Sequence, residues 1–277
     1  MRCEVIHLKE RFPILGEAGK DPLLTVYLPT PMLDGRLQNE KRPCVLICPG
    51  GGYGFVSDRE AEPIALQFLP EGYAAFVLTY SVAPHRFPAQ LREVAAAMEL
   101  IAENAVLWHC DAGRVAICGF SAGGHLAAHY STAYDIPEVR EIFPESKPVQ
   151  ASILSYPVIS ADPDFCHGGS FENLTGHAYP LSQEEMDRLS CNRLVSAHTP
   201  PAFLWHTAAD QLVPVGNSLL YAQALAAHGI PFGLHIYPAG HHGLSTVDDL
   251  TNIGLDAVQR RAHDWLQQVK IWLKDTL

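Results

Sequence analysis

The sequence predicts an α/β protein with a mostly parallel central sheet of about eight strands and helices on both faces. Three observations carry this. Short apolar segments recur along the chain, among them P-C-V-L-I-C-P at 43–49, Y-A-A-F-V-L-T-Y at 73–80 and R-V-A-I-C at 114–118. They lack the apolar/polar alternation of a strand with one wet face, so both faces are expected to be covered. Segments of helical period separate them. The composition, 48% hydrophobic and 18% charged over 277 residues, is globular and leaves room for a sizeable core.

The elements follow in order. C-E-V-I-H-L (3–8) and L-L-T-V-Y-L-P (23–29) read as an opening pair of strands, and 30–43 as a polar loop. After the strand at 43–49 comes G-G-G-Y-G, then a helix over 60–71 that stops at Gly72. The strand 73–80 is followed by a long helix opened by Pro88, whose Leu91, Val94, Ala95, Met98 and Ile101 make one apolar stripe. The 114–118 strand leads into S-A-G-G-H-L-A-A-H-Y, a helix that begins on small residues. A-S-I-L-S-Y-P-V-I (151–159) and A-F-L-W-H-T (202–207) are the next strands. A helix over 216–228 ends at Gly229, P-F-G-L-H-I-Y-P (231–238) is the last strand, and a final helix is expected over 247–274. No repeat or linker interrupts the chain, so one domain is expected over 1–277. An irregular insertion at about 160–200, with a short helix at 182–189, breaks the rhythm. It is placed either to shape a pocket at the carboxyl edge of the sheet or as a solvated excursion.

Charge and cysteine usage exclude several classes. A net charge of −11 disfavours nucleic acid and anionic membrane, which want clustered Lys and Arg. No run approaches the ~18 apolar residues of a membrane span. The N-terminal M-R-C-E-V-I-H-L-K-E lacks the apolar core of a signal peptide, so a cytoplasmic location is expected. The seven cysteines are scattered with no C-x-x-C pair, which signals neither a zinc ribbon nor a redox site. Cys44, Cys48 and Cys118 fall in apolar strands and are expected as buried small hydrophobes.

The chemistry-bearing residues form an ordered set. C-G-F-S-A-G-G (118–124) contains G-x-S-x-G between a strand and a helix, the spacing of a nucleophile elbow that exposes Ser121. Alone, the motif also fits a serine that merely caps a helix. A nucleophilic serine needs a base and a carboxylate that orients it. A-A-D-Q-L-V-P after the 202–207 strand supplies Asp210, and A-G-H-H-G-L-S after the last strand supplies His241 and His242. Gly240 and Gly243 bracket His242, which makes it the preferred base. Asp210 also fits a turn residue that caps the following helix. Asp162 and Asp164 are weaker acid candidates, and His125, His129 and His206 are expected to be structural. The P-G-G-G-Y loop (49–53) can bring backbone N–H groups to a developing oxyanion. Gly51, Gly52 and Ala122 are the expected donors. G-G-G-Y-G matches neither G-x-G-x-x-G nor a Walker loop, so phosphate binding is disfavoured. Tyr53, Glu60, Tyr80 and His167 fit either pocket lining or packing.

With these residues in hand, the chain resembles acetyl-xylan-esterase-like and feruloyl-esterase-like members of the α/β-hydrolase superfamily. The resemblance rests on 49–65, L-T-Y-S-V-A-P (78–84), C-G-F-S-A-G-G-H-L-A (118–127), 199–215, Y-P-A-G-H-H-G-L-S (237–245) and S-F-E-N-L-T-G (170–176). One departure is Ala209, where such proteins often place an acidic residue before the triad acid. The resemblance implies a serine carboxylesterase for small acyl groups, acetyl foremost, on carbohydrates or similar alcohols. It implies no metal and no cofactor. The expected partner is a small-molecule ester, with homo-oligomer formation left open. The alternatives are a serine peptidase of the same fold and a catalytically silent ligand-binding protein.

Overall fold

A computed structural model describes residues 1–16, 21–30 and 41–277. Most of the polar loop expected at 30–43 lies outside the described residues. The strands are β1 (Arg2–His7), β2 (Leu23–Leu28), β3 (Arg42–Cys48), β4 (Ala74–Thr79), β5 (Cys110–Phe120), β6 (Ala151–Ser155), β7 (Ala202–Thr207) and β8 (Phe232–Tyr237). They form one sheet in the order β1-β2-β4-β3-β5-β6-β7-β8. β2 pairs antiparallel with β1 and β4, and every other neighbouring pair is parallel.

The apolar strands are apolar because both of their faces are covered. Along β3, Cys44, Leu46 and Cys48 join one core, with Leu91 and Val94 of the helix Ala89–Asn104 and Leu126 of the helix Ser121–Ala133. Val45 and Ile47 join the opposite core, with Phe68 of Glu62–Phe68 and Trp265 of the C-terminal helix Asp264–Thr276. The apolar stripe expected on the long helix is the face that meets the sheet. Cys44, Cys48 and Cys118 are all buried.

Two expectations are corrected. The strand expected over 151–159 ends at Ser155, because Tyr156 turns the chain at φ 37° and Pro157 has no N–H to continue a ladder. The helix expected over 247–274 is confined to Asp264–Thr276, preceded by a 3₁₀ turn at Gln259–His263. Side chains compete with the helix upstream: Asp248 accepts from the N–H groups of Leu250 and Thr251, and Asp256 from those of Val258 and Gln259. Gly254 adds a left-handed φ of 77°. Among the described residues no helix is long and apolar enough to cross a membrane.

Candidate active site

The register of the sheet brings the chemical loops together. Cys48 of β3 pairs with Gly119 of β5, so the glycine loop at 49–52 and the Ser121 turn leave the sheet side by side. Thr207 of β7 pairs with Tyr237 of β8, which does the same for the Asp210 and His242 loops. All four loops stand at the carboxyl edge, where open α/β sheets bind ligands.

Ser121 begins its helix at φ 53°, a left-handed conformation that L-residues rarely hold without surrounding support. The glycines around it permit that turn by close approach. A Cβ on Gly119 would stand 2.2 Å from the carbonyl oxygen of Gly123, and one on Gly123 would stand 2.1 Å from that of Cys48. Tyr156 and Ser245, beside the same site, also have positive φ, 37° and 51°.

The three residues expected as a triad meet in one chain of hydrogen bonds. Ser121 Oγ lies 2.8 Å from His242 Nε2, and His242 Nδ1 lies 2.7 Å from Asp210 Oδ2. The geometry has the hydroxyl donating to Nε2 and the Nδ1–H donating to the carboxylate. Asp210 Oδ1 accepts from the N–H groups of Leu212 and Val213, each at 2.9 Å. Burial pushes the Asp210 carboxyl up. Hydrogen bonds from His206 and His242, the charge of His242 and the Val213 N–H outweigh it and hold the carboxyl well below the usual carboxylate range. His241 turns away, exposed, with its Nδ1 on the His242 carbonyl. Asp162 is engaged by Ser160 and Arg193, and Asp164 is exposed.

The glycine loop faces these three residues. Gly51 and Gly52 have positive φ of 125° and 60°. Ala122 is fully buried at the helix start. No backbone partner for the N–H groups of Gly51 or Gly52 is found among the described residues. Glu60 holds the loop from beneath. Its Oε2 accepts from the N–H of Gly50 at 2.8 Å, and its Oε1 from the hydroxyl of Tyr156 at 2.6 Å. The Tyr156 oxygen accepts in turn from the N–H of Ser245, and its ring meets His242 edge-on at 5.0 Å. Asn173, on the helix Gly168–Thr175 of the 160–200 region, donates to the Gly52 carbonyl at 2.9 Å. A cavity of about 480 Å³ opens here, lined by Ser121, His242, Gly52, Glu60, His167 and Asn173 among others.

The remaining sequence candidates divide. Glu60 and His167 line the cavity. Burial lowers the His167 imidazole from its ordinary value, with a further lowering by His242. Tyr53 and Tyr80 do not line it: the Tyr53 hydroxyl meets His125 Nδ1 at 2.8 Å, and that of Tyr80 donates to the Pro49 carbonyl. His125 and His129 are buried in helix packing, as expected of structural histidines. His206 is also buried, but its Nε2 lies 3.3 Å from Asp210 Oδ2, a contact that nothing in the sequence announces. Tyr156 is a further residue of the site that sequence reasoning does not find; its only local signal is the Pro that follows it. Among the described residues no group of three or more His, Cys, Asp or Glu side chains is arranged to hold a metal ion.

The BD-FAE family model matches residues 26–225. The chain belongs to the BD-FAE family. Endo-1,4-β-xylanase B of Butyrivibrio fibrisolvens is 37% identical over 231 residues, 79% of this chain and 35% of that protein. The acetylxylan esterase of Xylanibacter ruminicola is 33% identical over 209 residues, 74% of this chain and 42% of that protein. This BD-FAE chain therefore spans less than half the length of either curated relative. The crystal structure of the acetyl ester-xyloside bifunctional hydrolase from Caldicellulosiruptor lactoaceticus superposes with a TM-score of 0.82 at 34% identity, covering 98% of this chain and 96% of that one. Sheet order and these neighbours identify the α/β-hydrolase fold, as the motifs of the family had implied.

Proposed function

We propose that the protein is a serine carboxylesterase that hydrolyses small acyl esters, acetyl foremost, of carbohydrates or similar alcohols. The observation that carries this is the unbroken path from Ser121 through His242 to Asp210, at 2.8 and 2.7 Å, on the wall of a cavity. Family relatives described as acetylxylan esterase and acetyl ester-xyloside hydrolase support the ester class.

The reaction runs in two acyl transfers. His242 takes the Ser121 proton as Oγ attacks the ester carbonyl. Negative charge develops on the carbonyl oxygen and is met by the N–H groups of Gly51, Gly52 and Ala122. Such preorganised donors are worth several kcal/mol in the transition state. His242 then protonates the departing alcohol. Water, deprotonated by the same imidazole, attacks the acyl-enzyme and releases the acid. Asp210 fixes the tautomer with Nδ1–H toward itself.

The test compares p-nitrophenyl esters from acetyl to octanoyl with wild-type protein and Ser121→Ala. Hydrolysis that peaks at acetyl and disappears in the variant supports the reading in full. A peak at longer chains keeps the mechanism and overturns the acetyl preference. Cleavage of acylated amino-acid amides in preference to esters would favour the peptidase alternative. Absence of all hydrolysis would favour the silent binding protein.

A further inference from the structure

Most polar side chains that line the cavity beside Ser121 are already engaged. Ser121 and His242 are bonded to each other. Glu60 commits both oxygens, to Gly50 and Tyr156. Asn173 gives its amide nitrogen to the Gly52 carbonyl, and Arg59 donates to the Thr251 carbonyl at 2.9 Å. His167 differs. Its Nδ1 meets Ser170 Oγ at 2.8 Å, while its Nε2 has no hydrogen-bond partner among the described residues and is open to the cavity.

The tautomer of His167 follows from Ser170. That hydroxyl is 1% exposed and, among the described residues, finds no carbonyl or carboxylate to donate to. A buried O–H left unpaired is costly, so it donates to Nδ1, and the neutral imidazole carries its proton on Nε2. Burial, and then His242, lower the imidazole from its ordinary value against the pull of Asp210, which favours this neutral form. Its place is fixed from three sides. The His167 carbonyl accepts from the Ser170 N–H at 3.0 Å. The helix Gly168–Thr175 that follows is tied to the glycine loop through Asn173. A Cβ on Gly52 would stand 3.9 Å from His167 Cε1, the carbon bonded to Nε2.

We infer that His167 is a specificity-determining residue whose Nε2–H donates to an oxygen on the alcohol half of the ester, one carbon beyond the carbon that carries the acyl group. This rests on the esterase reading above and adds a residue that selects the alcohol. His167 and His242 are close enough for each to feel the other's charge. On the proposed mechanism His242 delivers its proton to the departing alcohol, so a group beside it meets the alcohol half. An Nε2–H donates and cannot accept. Monoesters of vicinal diols, and their ethers, present it with an acceptor. The ester of a plain alkanol covers the donor without pairing it.

The experiment uses the intact protein and two pairs of acetates matched in size. One pair is 2-hydroxyethyl acetate and propyl acetate; the other is 2-methoxyethyl acetate and butyl acetate. The kcat/KM ratio within each pair is measured in wild type and in His167→Phe, so a general loss of activity in the variant cancels. The oxygen also makes the alcohol a better leaving group, and the ratio in the variant measures that part. Both ratios should be about 2- to 10-fold higher in wild type than in His167→Phe, the worth of one neutral hydrogen bond. Equal ratios in the two proteins overturn the role of His167. So does a gain confined to the hydroxyl pair, because an ether can only accept. A second readout needs no variant at 167: imidazole ¹⁵N shifts in Ser121→Ala should show a protonated Nε2, and a bare Nε2 overturns the inference. No hydrolysis of p-nitrophenyl acetate, or hydrolysis that survives in Ser121→Ala, overturns the esterase reading and the role of His167 with it.

Discussion

His206 Nε2 stands 3.3 Å from Asp210 Oδ2, the same oxygen that His242 Nδ1 reaches at 2.7 Å. The Nε2–H of His206 also points at the Val213 carbonyl at 3.0 Å, so this nitrogen is the protonated one and Nδ1 accepts from the Ser218 hydroxyl. A buried donor therefore shares the carboxylate charge with His242. His206→Phe removes it and leaves more of that charge facing the His242 imidazolium. The protonated base gains stability, so the acid limb of the kcat/KM profile should move to higher pH. The rate at the plateau should fall about tenfold, less than the 10²–10⁴ of a general base itself. His206→Gln keeps a donor and should move the limb less. An acid limb that stays put in His206→Phe would leave His206 a packing residue.

Glu60 ties two halves of the site together through Gly50 and Tyr156. Its carboxylate accepts from both, whereas a glutamine has one acceptor oxygen and turns an NH₂ toward the other donor. Glu60→Gln should therefore shift the glycine loop against Ser121. A Cβ on Gly50 would stand 3.0 Å from the Ser121 Cβ, so the two segments are already in close contact. On the proposed mechanism the amides of Gly51 and Gly52 act on the transition state, so kcat should fall about 10- to 100-fold with KM little changed. Steady-state kinetics on p-nitrophenyl acetate decide it; a raised KM with normal kcat would mean that Glu60 serves binding.

The fold and the serine, acid and histidine loops are legible in the sequence because each rests on local pattern. Fully apolar strands, glycine-bracketed turns and chain order need no knowledge of the third dimension. The partners of those residues are not legible. His206 is the penultimate residue of β7, and its reach to Asp210 depends on how the 207–213 loop folds back over the end of that strand. Tyr156 is far from His242 in the chain and touches it only through the sheet order. The C-terminal segment misleads for a different reason. Its apolar spacing suits a helix, but Asp248 and Asp256 satisfy backbone N–H groups locally and delay the start to Asp264.

Gly123→Ala should destabilise the protein and abolish hydrolysis together. The added methyl would stand 2.1 Å from the Cys48 carbonyl oxygen and 2.2 Å from that of Pro49, and both belong to backbone that cannot swing aside. Overpacking of this kind costs about 1–3 kcal/mol or more, and here it also moves the glycine loop. Gly229→Ala is the control. It has a positive φ of 69° but nothing within 4 Å of the place its methyl would take, so it should cost only about 1 kcal/mol and leave activity alone. Urea unfolding and p-nitrophenyl acetate hydrolysis of both variants test the contrast. A stable, active Gly123→Ala would show that the elbow tolerates a wider turn.

Glu93 sets a pH dependence of stability far from the candidate site. It is 3% exposed on the helix Ala89–Asn104, where its Oε2 accepts from the Ser81 N–H at 2.7 Å. Burial pushes its carboxyl from an ordinary 4.5 up to about 7, against the opposing hydrogen bond of Ser81. A raised carboxyl stabilises the fold fully below the ordinary value, where both states are protonated. Between about 4.5 and 7 the unfolded chain releases the proton first, so this contribution is lost as pH rises and is gone above 7. Glu93→Gln cannot titrate and keeps the acceptor for Ser81. Its stability relative to wild type should therefore rise with pH, by on the order of 3 kcal/mol between about pH 5 and pH 8. The buried His125, lowered to about 4 by desolvation, acts in the opposite direction. It is present in both proteins and cancels in the difference. Urea midpoints of the pair at the two pH values measure that difference, and a gap that does not change with pH would mean that Glu93 is ionised in the folded protein throughout.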